Sequence, residues 1–255
     1  MAALHGDAFV KALQSETVTL LVGEKEEAVH IPKALLSIKS SFIATFLEKS
    51  EGVLGMQGES ITAVKMFVTW CYQERLQTLG PSASFEERKQ WKETLIDVWI
   101  FAARYDISKL QNETMLALIL LLNTPHLLNK TDIAYIWDRT ASTFDRLRRL
   151  SAMAVVMQIE DGKGEHRKKI KDYEDFAGLE GFFCLLYKAH GTYLKQVDIP
   201  NLAKRPKKTK WQMFTQLPEV REGLMVKETA PAPAPVPAPV AAVAPFAPGE
   251  VIEID

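Results

Sequence analysis

The stretch Thr17 to Phe42, TVTLLVGEKEEAVHIPKALLSIKSSF, decides how the rest of the chain is read. Its first six residues, TVTLLV, and Ala28 to Ile31, AVHI, are short β-rich runs. Gly23-Glu24-Lys25-Glu26 between them is a polar loop able to close a hairpin. Pro32 has a fixed φ and no N–H to lose, which suits the first turn of a helix. From there Leu35/Leu36, Phe42/Ile43 and Phe46/Leu47 return at helical spacing. An N-terminal β-hairpin with one helix packed on it is expected.

Working outward, Ser60 to Val64 reads as a brief third strand, after which Val64, Phe67/Val68 and Cys71 mark a second core helix. Gln77 to Gln90, polar and punctuated by Gly80 and Pro81, reads as a surface insertion. Leu95 to Tyr105 is apolar nearly all round, the mark of a helix buried between neighbours. Ser108-Lys109-Leu110-Gln111 has the letters of a capping box that opens a further helix through Leu121. Beyond Pro125, Leu147, Leu150, Ala154 and Met157, then Phe176, Leu179, Phe183, Leu186, His190 and Tyr193, alternate steps of three and four, so the C-terminal third is expected to be helical.

Composition sets the outer bounds. The 255 residues carry 31 Lys+Arg against 32 Asp+Glu, so no net field draws the chain to nucleic acid or to an anionic membrane. With 47% hydrophobic residues there is material for a sizeable core, which excludes a wholly disordered chain. The longest apolar run, Met115 to Leu122, is eight residues, far short of the roughly 20 that span a bilayer. The N-terminus lacks the positive-then-apolar order of a secretory signal, so an intracellular, soluble protein of nucleus or cytoplasm is expected. Cys71 and Cys184 make no disulfide framework or metal spacing and are read as reduced and structural. From Ala230 to Pro248 the chain holds 7 of its 13 prolines, so residues 228–255 are read as a disordered Pro/Ala-rich tail.

Four blocks in order resemble the BTB/POZ domain, in particular the single-BTB-domain proteins of filamentous fungi. They are VTLLVG (Val18 to Gly23) with VHIPKALLSIKSSF (Val29 to Phe42), FVTWCY (Phe67 to Tyr72), and the two-helix run LIDVWIFAARYDISKLQNETM (Leu95 to Met115). TASTFDRLRRLS (Thr140 to Ser151) is similar to the segment that follows the core in those fungal proteins. Thr17 stands where many relatives have Asp, which weakens the analogy to the charged dimer pocket of animal members. The resemblance implies an α+β fold: a small, mainly N-terminal sheet packed against helices over residues 9–122, with the insertion at 77–90. A helical extension over 123–200 and a basic linker over 201–227 follow. It also implies a binding role, self-association as a dimer or partner recruitment, with Phe9, Leu13 and Val18 as self-association contacts by carry-over.

Many animal members are adaptors for cullin-type ubiquitin ligases and carry an apolar residue two before a Glu after the first long helix. Glu51 follows Lys49 and Glu59 follows Gln57, neither of which fits. Phe46-Leu47-Glu48 fits the letters, but the spacing assigns Phe46 to the buried stripe.

Catalytic chemistry finds little footing. His5, His30, His126, His166 and His190 are scattered, with no His or Cys partner three or four residues away. There is no GxSxG, Walker loop or GxGxxG, and Asp172, Glu174 and Asp175 sit among lysines as a solvated helix start would. A protein without enzymatic activity or cofactor is expected.

Two terminal motifs remain. Lys204, Arg205, Lys207, Lys208 and Lys210 put five cations into seven residues around Pro206. That run is compatible with docking on an import receptor, with a solvated linker, or with phosphate binding assisted by Trp211 and Phe214 in a nuclear, transcription-associated scaffold. Nucleic acid is not the expected main partner. Val251, Ile252 and Ile254, flanked by acids, resemble a SUMO-interacting strand.

Overall fold

The computed structural model describes residues 6–48, 52–123, 127–141, 145–160, 168–197, 221–222 and 224–226. Within them the chain is an α+β protein. Helix α1 (Asp7–Leu13) leads into strand β1 (Thr17–Val22), which pairs antiparallel with β2 (Glu27–Pro32), Leu20 lying opposite Val29. The hairpin loop needs two left-handed residues, Gly23 at φ 69° and Glu26 at φ 51°. Along β1 burial alternates, so Val18, Leu20 and Val22 face the helices.

The third strand is not at Ser60–Val64, where it was expected. β3 is Val53–Met56 and runs parallel to β1, with Leu20 opposite Leu54, giving the sheet order β2-β1-β3. Ser60 instead precedes helix α4 (Ile61–Gln73), which buries Val64, Phe67, Trp70 and Cys71. The sequence of β3 is Val-Leu-Gly-Met, and the central glycine masks its strand character.

The stripe from Leu35 to Leu47 is also two helices rather than one. Pro32 caps α2 (Lys33–Lys39), and Ser40 then turns extended, at φ −145°, before α3 (Ser41–Leu47). The Ser40 hydroxyl explains the break: it accepts the Ile43 N–H at 3.0 Å as an N-cap and donates to the Tyr105 carbonyl at 2.7 Å. The bend re-aims α3, so Ile43 and Leu47 stay buried while Phe42 and Phe46 face outward.

Helix α5 (Phe85–Arg104) begins inside the expected surface insertion, because Ser84 and Glu87 form a reciprocal capping box. Helix α6 (Ser108–Leu121) starts without the expected cap: Ile107 holds the N-cap position, and Ser108 is already helical and buried. α7 (Lys130–Arg139), α8 (Asp145–Glu160), a 3₁₀ stretch (Ile170–Gly178) and α9 (Phe182–Val197) complete the described body. On α9 the rings of Phe182 and Tyr193 are buried; Phe183, expected on the inner stripe, is 37% exposed.

Two hydrophobic clusters share α5. Leu95, Ile96, Trp99 and Ile100 belong to the one formed with α6 to α9, whereas Val98, Phe101 and Ala102 belong to the one under the sheet. Between α5 and α7 lies a charge with no access to water. The Lys92 ammonium, 0% exposed, donates to Asp132 at 2.5 Å and to the Leu127 carbonyl at 3.2 Å. Asp132 also accepts the Asn129 N–H at 2.7 Å, so a single carboxylate caps α7 and neutralises the ammonium.

Removing one member of such a pair strands a buried charge, so Lys92→Met alone should cost about 3–5 kcal/mol in denaturant unfolding. Lys65→Ala, which breaks an exposed pair with Glu27, should cost about 0–1 kcal/mol in the same measurement.

Candidate interaction surface

The elbow between α1 and β1 fixes the first surface. Ser15 donates its hydroxyl proton to the Ala12 carbonyl at 2.8 Å and accepts the Ala34 N–H at 3.0 Å, while the Glu16 carbonyl accepts the Lys33 N–H at 2.7 Å. These bonds hold α1 on the start of α2. Val10, Leu13, Ile38, Phe42 and Phe46 on α1 to α3 are then left between 38% and 54% exposed. Phe42 is braced rather than loose: its ring meets Tyr105 edge-on at 5.9 Å.

The three residues carried over as self-association contacts are therefore placed differently. Leu13 is exposed, and Phe9 is half-buried against the sheet cluster. Val18 is a correction: it is fully buried, because on β1 it points to the helices, and its side chain offers no surface. Sequence reasoning missed Phe42 and Phe46, since helical periodicity continued through Ser40 places them inside, and it did not single out Ile38.

A second, polar surface lies where α5 and α7 meet the loops beside the sheet, around a cavity of about 380 Å³. Arg104 pairs with Glu59. The Tyr135 hydroxyl donates to Asp97 at 2.6 Å, and the Arg139 guanidinium lies 5.5 Å from the Tyr135 ring centre. Burial, then the Asp97 hydrogen bond and charge, push the Tyr135 phenol up to about 12. It is thus a proton donor at neutral pH, and the group acts as a clasp between α5 and α7.

The remaining candidates are scattered. His30 bonds the Thr19 hydroxyl at 3.1 Å, and His190 sits 2.9 Å from Glu160 at the surface. Among the described residues no three His, Cys, Asp or Glu side chains are grouped to hold a metal ion, and no helix is long and apolar enough to cross a membrane. Cys71 is buried, which raises its thiol pKa despite nearby Lys39. Cys184, expected to be structural, is exposed on α9. The basic run Lys204, Arg205, Lys207, Lys208 and Lys210 and the strand-like Val251, Ile252 and Ile254 lie outside the described residues, as does the Pro/Ala-rich tail.

Comparison with known protein families, with curated proteins and with solved structures finds no match for this chain.

The phenols generate a pH dependence. Tyr173, buried and donating to Gln158 at 2.7 Å, is also pushed up to about 12, by burial first and by Asp172 second. A folded-state pKa above the unfolded value of roughly 10 means that the unfolded chain ionises first. Stability is therefore complete below pH 10 and falls as pH climbs towards 12. Urea midpoints across pH 8 to 12 should drop along that window, and Tyr173→Phe should flatten the drop relative to its own neutral-pH value.

Proposed function

We propose that this chain is a non-enzymatic protein–protein interaction module built on a BTB/POZ-like core, and that it self-associates through the face formed by α1, α2 and α3. The carrying observation is the set of five large apolar side chains, Val10, Leu13, Ile38, Phe42 and Phe46, left at the surface of a well-filled core. Solvent-facing apolar clusters on a folded body are what protein interfaces cover. The order of elements supports the reading. The hairpin, the Pro32-started helix, the FVTWCY helix α4 and the pair α5/α6 occur in the order that the family resemblance implies.

Light scattering on the full chain over a range of concentrations tests it. A dimer is expected for the parent protein, with Leu13→Asp combined with Val10→Asp shifting it to monomer without loss of helical circular dichroism. A parent chain that stays monomeric at every concentration overturns the reading.

One observation favours the adaptor as a second reading. Phe46 is 45% exposed and Glu48, two residues on, is exposed as well, so the apolar-x-Glu letters are accessible to a partner. Affinity purification of the tagged full chain should then recover a cullin, and recovery should fall with Glu48→Ala. No cullin in the parent eluate removes this reading and leaves self-association untouched.

A further inference from the structure

A short C-terminal segment is seated on α6 and α8. Met225 donates its N–H to the Arg221 carbonyl at 3.0 Å, closing one helical turn, and Leu224 drops into the α6–α9 cluster at 1% exposure. The next residues are held by their backbone. Asn112 on α6 uses both ends of its carboxamide on one residue: Oδ1 accepts the Val226 N–H at 2.7 Å, and Nδ2 donates to the Val226 carbonyl at 2.9 Å. Arg146 at the start of α8 donates to the Met225 carbonyl at 3.2 Å.

This division of labour is that of a peptide site. One side chain supplies an apolar anchor, and a receptor carboxamide reads the main chain as a neighbouring strand would, which sets orientation without demanding a sequence. The seating is also easily reversed. Asn112 and Arg146 are both half-exposed, so withdrawing the segment lets water take over their hydrogen bonds and strands no buried polar atom. Arg221 and Glu222 are exposed and Val226 is half-buried; Leu224 is fully buried and Met225 packs half-buried against the same cluster, so among the described side chains these two leave apolar contacts when the segment withdraws.

We infer that the surface of α6 and α8 around Asn112 and Arg146 is a peptide-binding site that residues 221–222 and 224–226 fill in cis, and that it accepts in trans a protein segment presenting a leucine followed by two apolar residues. Recognition consists of the Leu224 pocket, the Asn112 clamp and the Arg146 carbonyl contact. The site uses none of the α1–α3 residues, so loss of self-association would leave it intact.

The test uses a fluorescent peptide of residues 219–228, EVREGLMVKE, titrated by anisotropy onto the full chain. Leu224→Asp empties the site. Saturable binding to that variant is expected, with the parent at least about tenfold weaker because its own segment competes. Adding Asn112→Ala should weaken binding about tenfold, as two lost hydrogen bonds would. A folded Leu224→Asp chain that does not bind overturns the inference, as does equal binding to the parent or indifference to Asn112→Ala.

Should Leu224→Asp not fold, hydrogen exchange in the parent decides. The Val226 amide, bonded to Asn112, is expected to exchange at least about tenfold faster than the Phe101 amide of α5, because it opens without global unfolding. Matching rates would mean a fixed part of the core and would overturn the inference.

Discussion

The whole body hangs on the burial of both faces of α5. A helix of 20 residues ordinarily offers one stripe to a core and one to solvent. Here Leu95, Ile96 and Trp99 fill one cluster and Val98, Phe101 and Ala102 the other, with Trp91 lying against both. The sheet with α2 to α4 and the later helices α7 to α9 therefore cannot each choose their own relation to α5. Lys92 and Asp132 sharpen the constraint. A buried ammonium is tolerated only while its carboxylate stays within hydrogen-bond reach, which fixes the position of α7 along α5.

That rigidity is what lets surface features carry function. Ser40 closes α2, caps α3 and is bonded to the end of α5 through the Tyr105 carbonyl, so the outward aim of Phe42 and Phe46 is set by the core. On another side, α6 and α8 are spaced so that Asn112 and Arg146 reach successive residues of one segment. The Tyr135–Asp97 and Arg104–Glu59 groups satisfy one another in the polar cavity.

Much of the fold was legible in the sequence, wherever periodicity was strong and punctuation honest. TVTLLV and AVHI with a polar loop are a hairpin, and LIDVWIFAARY, apolar on every side, is the helix shared by two clusters. The misreadings have a common cause in long-range partners. Ser40 has the local chemistry of an N-cap, but the apolar spacing runs on through it and the acceptor that fixes its hydroxyl is 65 residues away. β3 owes its strand to a parallel pairing with β1 rather than to its own Val-Leu-Gly-Met. Phe46 follows the helical spacing and still faces water, since α3 is rotated by that break. Asn112 and Arg146 are unremarkable letters until residues 224–226 return to them across the chain.

Native-state hydrogen exchange in Trp99→Ala probes the sharing of α5 most directly. Trp99 belongs to the later-helix cluster, yet a single cooperative body requires that its loss, about 3–5 kcal/mol, appear equally in the protection of α4 amides such as Phe67 and of α8 amides such as Val155. Protection of α4 that stays at its parent value while that of α8 collapses would contradict the account, for it would mean two bodies that merely lie side by side.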